Sequence, residues 1–224
     1  MNDAAENGAA RAETRASFYR VFSFACHGLS LPDMIESLTD LQETRGVEIA
    51  PHIAESLAAW LDIARASTSE EVAQDFHDLF LVPAKKYVTP YESVYLDPPV
   101  ESGFRGPKKI NFGPSTLAVL RFYRSVGLAI GEDYKELPDF AGLELACMEY
   151  LCSKEAFCFR DGDSANFARF AAAQVRFHER HIGRWFSSLC DKIEQNASTR
   201  FHAQMARTMR SFLQSEKQVL GEVA

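Results

Sequence analysis

Apolar residues recur along this chain at steps of three and four, the period of helices with one buried face. The first stripe carries Phe18, Val21, Phe22, Ala25 and Leu29, and the polar residues 1–12 before it predict a mobile tail. Ser30 and Asp33, with Pro32 between them, make a capping-box-like start to a second stripe of Met34, Ile35, Leu38 and Leu41. Gly46 breaks the pattern, and Pro51 opens a third helix with Ile53, Leu57, Trp60, Leu61 and Ala64 facing inward. Thr68 and Glu71 repeat the capping box and start a helix through Phe76, Leu79 and Phe80.

The periodicity then stops. Between Leu81 and Pro114 stand Pro83, Pro90, Pro98, Pro99 and Pro107, with Gly103, Gly106 and Gly113, a density that ends regular structure and predicts one long loop or hinge over 81–114. Helical patterning resumes at Ser115 with Leu117, Leu120, Phe122 and Tyr123, and ends near Gly127. Later stripes are Phe167, Phe170, Ala171 and Val175 after Asp163; Ile182, Trp185, Phe186, Leu189 and Ile193; and Phe201, Met205, Met209, Phe212 and Leu213. No alternating strand, βαβ rhythm or internal repeat is visible. The pattern predicts one all-α domain over residues 13–224, of about nine or ten helices.

Glu136 to Leu151 reads as a loop feeding a core helix. Pro138 suits a first helical turn, and Asp139 places negative charge at the positive end of the helix dipole. Phe140, Leu143, Cys147, Tyr150 and Leu151 form its stripe, with Ala141, Leu145 and Met148 apolar on other faces. Glu144 falls between Leu151 and Met148, so its carboxyl needs a partner and its loss should lower stability first. Two readings fit this stretch: a capped core helix with one paired glutamate, or a recognition site built from acids and an aromatic at the helix entrance.

The chain has 224 residues, 46% of them hydrophobic, enough for a sizeable core. A net charge of -7 argues against nucleic acid and suits a partner with a basic segment. The five cysteines and the polar N-terminus, without an apolar signal region, predict reduced thiols and a cytoplasmic protein. No apolar run approaches the roughly 20 residues that span a bilayer.

Tyr87, Tyr91 and Tyr95 recur every fourth residue across Pro90, so they either grip a peptide or pack the loop onto the domain. His178 and His181 sit three apart, on one face of a regular helix, with Glu179 between them. They could share a metal, but no H-E-x-x-H is present, and the simpler expectation is a hydrogen-bonded core His181 and a surface His178. Cys147, Cys152 and Cys158 lack C-x-x-C spacing and read as small buried hydrophobes. The segment GFRGPKKINFG, 103–113, is not a phosphate-binding loop, and no G-x-S-x-G occurs.

The run Glu136, Pro138, Asp139 and then Glu144-Leu145 resembles the E-x-P-D-H-x-x-x-E-L signature of the TorD/DmsD/NarJ family, maturation chaperones of molybdenum-containing redox enzymes. Phe140 stands where many members carry histidine, so no role of that histidine transfers. L-F-x-x-P at Leu79–Pro83, P-Y-E-S-V-Y at Pro90–Tyr95, and His181 with Trp185 are further echoes in order.

The resemblance implies a non-enzymatic, cofactor-free chaperone. It would bind the N-terminal leader, twin-arginine in exported clients, of an apo-form molybdenum-cofactor oxidoreductase, delay export and assist cofactor insertion. On that reading Tyr87, Tyr91 and Phe140 line a groove for the apolar leader segment. Glu136 and Asp139, with Glu92, receive its arginines, and Pro138 belongs to the same peptide-binding stretch. Replacing Glu136 and Asp139 by alanine is then expected to weaken leader binding without unfolding. The long loop allows domain exchange into a homodimer. The alternatives are a NarJ-like assembly chaperone for a non-exported enzyme, and a small helical metal-dependent enzyme using His178 and His181.

Overall fold

The computed structural model describes residues 3–43, 49–98 and 113–221. Among them are ten α-helices: α1 (Asp3–Cys26), α2 (Leu31–Glu43), α3 (Pro51–Ala66), α4 (Ser69–Phe76), α5 (Glu92–Leu96), α6 (Pro114–Ser125), α7 (Ala141–Asp161), α8 (Ser164–Phe177), α9 (Gly183–Asn196) and α10 (Arg200–Gly221). Two π-helical turns extend the set, His77–Leu81 after α4 and His178–Ile182 joining α8 to α9. The all-α expectation holds, and one isolated bridge, Tyr91 to Phe140, is the β pairing among the described residues.

The chain packs around α1 and α7, which lie along each other, while α8 flanks α7 and α10 packs on α3 and α9. The stripe predicted for α3 is its buried face, Ile53, Leu57, Trp60, Leu61 and Ala64. Phe22 stacks on Trp60 at 5.9 Å, and Phe212 stacks on Phe18 at 4.7 Å. The capping box of Thr68 and Glu71 is present at the start of α4.

Four expectations are corrected. Residues 3–12 are helical rather than a free tail, with Ala9 and Ala12 buried; alanines make no apolar stripe to the eye but are the strongest helix formers. The buried face of α6 is Thr116, Val119 and Tyr123, whereas Leu117 is 40% exposed. The loop after Leu81 contains α5, a single turn too short to show a period. His178 is buried, not on the surface. The remainder of the expected hinge, residues 99–112, lies outside the described residues.

Two buried polar clusters tie distant helices. Arg15 of α1 donates to Glu155 of α7 at 2.9 Å, to Gln174 of α8 at 2.7 Å and to Glu216 of α10 at 2.8 Å. Asp75 of α4 accepts the Ser198 and Thr199 N–H groups at 2.8 and 3.0 Å, capping α10, and pairs with His202 at 2.9 Å.

Candidate functional site

The predicted site residues converge where two loops meet. Glu92 N–H donates to the Asp139 carbonyl at 3.0 Å and Ala141 N–H to the Pro90 carbonyl at 2.9 Å, so a two-bond antiparallel clamp joins segment 90–92 to segment 139–141. The Phe140 N–H bonds the Leu137 carbonyl at 3.0 Å, which closes a turn with Pro138 at its second position, where a fixed φ is favoured. The Pro138 carbonyl accepts from the Tyr123 hydroxyl at 3.0 Å. Pro138 therefore shapes the turn before α7 instead of its first helical turn, since α7 begins at Ala141.

Asp139 departs further from expectation. It is fully buried, and its carboxylate accepts the Ser93 N–H at 2.9 Å. It caps α5, a helix 46 residues earlier, rather than its own. Glu92 is also buried, with Oε2 2.8 Å from His181 Nδ1. A carboxylate only accepts, so Nδ1 carries the proton of that bond. Both acids are buried and engaged by internal partners, Asp139 by the Ser93 N–H and Glu92 by His181, so each supports the fold at this site.

Glu136 remains exposed and receives the hydroxyl of half-buried Tyr91. Burial and then the Glu136 carboxylate push the Tyr91 hydroxyl well above the ordinary tyrosine range, so it stays a donor. Tyr91 packs on Phe140 at 5.7 Å, and Phe140, itself buried, meets the edge of His27 at 5.1 Å. His27 bonds the Tyr134 hydroxyl at 2.5 Å and the Ser23 carbonyl at 2.7 Å. Burial, followed by the charge of Glu136, pushes Tyr134 up to about 12.

Gly142 makes this packing possible. A Cβ there would stand 2.6 Å from the Phe140 ring and closer still to His27. Tyr134 also lines an apolar pocket of about 180 Å³ with Leu128, Ile130 and Leu143. Exposed Glu132, Asp133 and Glu136 stand on the adjoining loop, against one Lys135.

Thus Tyr91, Glu136 and Phe140 come together. Half-buried Tyr87 stands near enough to influence Tyr91 electrostatically. Tyr95 instead packs on Trp185 at 5.1 Å, with Lys192 over its ring at 4.3 Å. Sequence reasoning missed His27 and Tyr134, which are 107 residues apart and share no local motif.

Beneath the clamp, Glu144 is fully buried and accepts from Trp185 Nε1 at 3.0 Å. Burial and then the adjacent Glu92 charge hold its carboxyl well above the usual carboxylate range. Trp185 is the partner its place on the helical wheel required.

His178 and His181 do not converge. They occupy a π-helical turn, whose wider spacing puts positions three apart on different faces. His181 turns to Glu92, whereas buried His178 lies near Leu213 and Glu216, its pKa lowered chiefly by burial. No group of three metal-ligating side chains exists among the described residues. The five cysteines are all buried and unpaired. No helix among the described residues is long and apolar enough to cross a membrane.

The sequence model of the family described as nitrate reductase delta subunit matches residues 48–191. A selenate reductase assembly chaperone protein from Thauera selenatis is 31% identical over 106 residues, 47% of this chain and 53% of that one. A chlorate reductase assembly chaperone protein from Ideonella dechloratans is 29% identical over 104 residues, 46% of this chain and 52% of its own. Chaperone protein TorD from Shewanella pealeana is 24% identical over 162 residues, 71% of this chain and 66% of that protein. The chain thus spans about half to two thirds of the length of these relatives. With a family match over well more than half its length, the chain belongs to the nitrate reductase delta subunit family, the TorD/NarJ group.

Proposed function

We infer that this protein is a cytoplasmic maturation chaperone that binds the N-terminal leader of an apo-form molybdenum-cofactor oxidoreductase. The observation that carries this reading is the juxtaposition around Tyr134. An acidic rim (Glu132, Asp133, Glu136) adjoins an apolar pocket of about 180 Å³ and the aromatic cluster of Tyr91, Phe140 and His27. A leader that is basic and then apolar offers the complementary order. Its arginines would meet the exposed carboxylates bidentately, and its apolar residues would enter the pocket. Holding the leader delays export, and the bound client stays available for cofactor insertion. The names of the relatives, assembly chaperones of reductases, support the same role.

The test is fluorescence anisotropy with a labelled twin-arginine leader peptide. Glu136→Gln removes the charge but keeps the Tyr91 hydrogen bond. Losing one charge-assisted contact of about 1.5–3 kcal/mol should weaken binding roughly tenfold to a hundredfold. Unchanged affinity in the folded variant would refute this site. The family match also favours a second reading, an assembly chaperone whose client is not exported. In that case the client's N-terminus carries no arginine pair.

A further inference from the structure

A second cleft, of about 710 Å³, opens between α5, α6 and the α8–α9 junction and shares no lining residue with the Tyr134 pocket. Its walls carry Arg121, Arg176, Arg180 and Arg184, all exposed, and its floor is His181. None of these arginines has an ion-pair partner among the described residues. The two acids lining the cleft are already engaged. Glu92 holds His181, and Asp97 accepts the backbone N–H of Ser115 at 3.2 Å. In a chain of net charge -7 the four arginines of the cleft outnumber its two carboxylates, which leaves it a local positive field.

Arg176, Arg180 and Arg184 are spaced four apart through the π turn, and all three line one side of the cleft. At about 1.5 Å of rise per residue the row extends roughly 12 Å, the length of about four residues of extended chain. That is a line of charge rather than one point. Phe122 and Leu96 supply an apolar wall beside it. The basic end of a leader would be repelled here. The segment 99–112 cannot neutralise it either, since it carries Arg105, Lys108 and Lys109 against Glu101 alone.

We propose that this cleft binds an acidic, partly apolar segment of the client polypeptide, separate from the leader. The inference rests on the client-binding role above, and it gives the protein two contacts of opposite charge: an acidic rim for the leader and a basic cleft for the body of the client. Two linked contacts raise the effective concentration of the second once the first is made, so a client is held more tightly than its leader alone.

The experiment uses the full chain and three probes: a labelled peptide of alternating glutamates and leucines, its glutamine counterpart, and inorganic pyrophosphate. The acidic peptide should bind, and the glutamine peptide should bind about tenfold more weakly or worse, the order that three exposed ion pairs supply. The triple variant R176Q/R180Q/R184Q should lose binding to the same extent while keeping leader affinity and thermal stability. Arg121→Gln, from α6, should lose part of it independently. Saturating leader peptide should leave the acidic peptide in place.

Equal binding of both peptides, or full binding by the triple variant, overturns the proposal. So does displacement of the acidic peptide by pyrophosphate at lower concentration, which would make the cleft a phosphate site. If the acidic peptide behaves as expected while the leader peptide fails to bind, the cleft stands and the leader site falls; the reverse result removes the cleft alone.

Discussion

Glu144→Gln tests whether the acid buried under the site is neutral. Glu144 is fully enclosed, accepts from Trp185 at 3.0 Å and faces Glu92. Burial and the Glu92 charge raise its pKa well above 4.5. Glutamine keeps the Trp185 contact through its amide oxygen and carries no charge to set against Glu92.

Because the folded pKa lies above the unfolded one, the native state holds an extra proton across the window between them. The wild-type stability is therefore complete below about pH 4.5 and falls as pH rises toward the folded value, by at most about 1.4 kcal/mol per pH unit. From about pH 5 to pH 7 that amounts to up to about 2.7 kcal/mol, which the variant does not lose. Urea unfolding of both proteins across this range, at constant denaturant slope, should show the variant gaining stability relative to wild type as pH rises, by no more than about 1.4 kcal/mol per pH unit. A difference that does not vary with pH would mean Glu144 is ionised in the native state, and the reasoning would fail.

Three further substitutions probe the supports. Arg15→Met strands Glu155 and Glu216 without their guanidinium and should cost about 3–5 kcal/mol in chemical denaturation; a loss under about 1 kcal/mol would show that the cluster contributes little. Asp139→Ala removes the cap of α5 and should lower stability by about 1–2 kcal/mol with leader affinity unchanged in the folded protein, whereas a folded variant with weakened affinity would return Asp139 to the peptide contact. Gly142→Ala forces a Cβ into Phe140 and His27 and should cost about 1–3 kcal/mol, with displaced His27 ring resonances in NMR spectra.

Much of the fold was legible because its signals are local. The inward residues of α3 and the capping box of α4 follow from spacing alone. The polar tail was misread because Ala9 and Ala12 bury little apolar surface each, yet suit a close approach to α7. The face of α6 was misread because Thr116 is fully buried and Leu117 is not.

At the site, the run from Glu136 to Phe140 was visible, but its division of labour was not. Glu136 and Asp139 look alike in sequence; one faces solvent and the other caps a helix whose position only the folded chain defines. Likewise, the spacing of His178 and His181 suggested one face until a π turn separated them. Contacts such as His27 to Tyr134 depend on which helices pack together, which periodicity does not encode.

The most direct test of the maturation role is affinity capture of the tagged protein from its host during growth without oxygen, with the bound proteins identified by mass spectrometry. The account predicts recovery of a molybdenum-cofactor reductase subunit, free of cofactor and with its N-terminal leader uncleaved. Recovery of no reductase subunit, from cells shown to be making one, would contradict it.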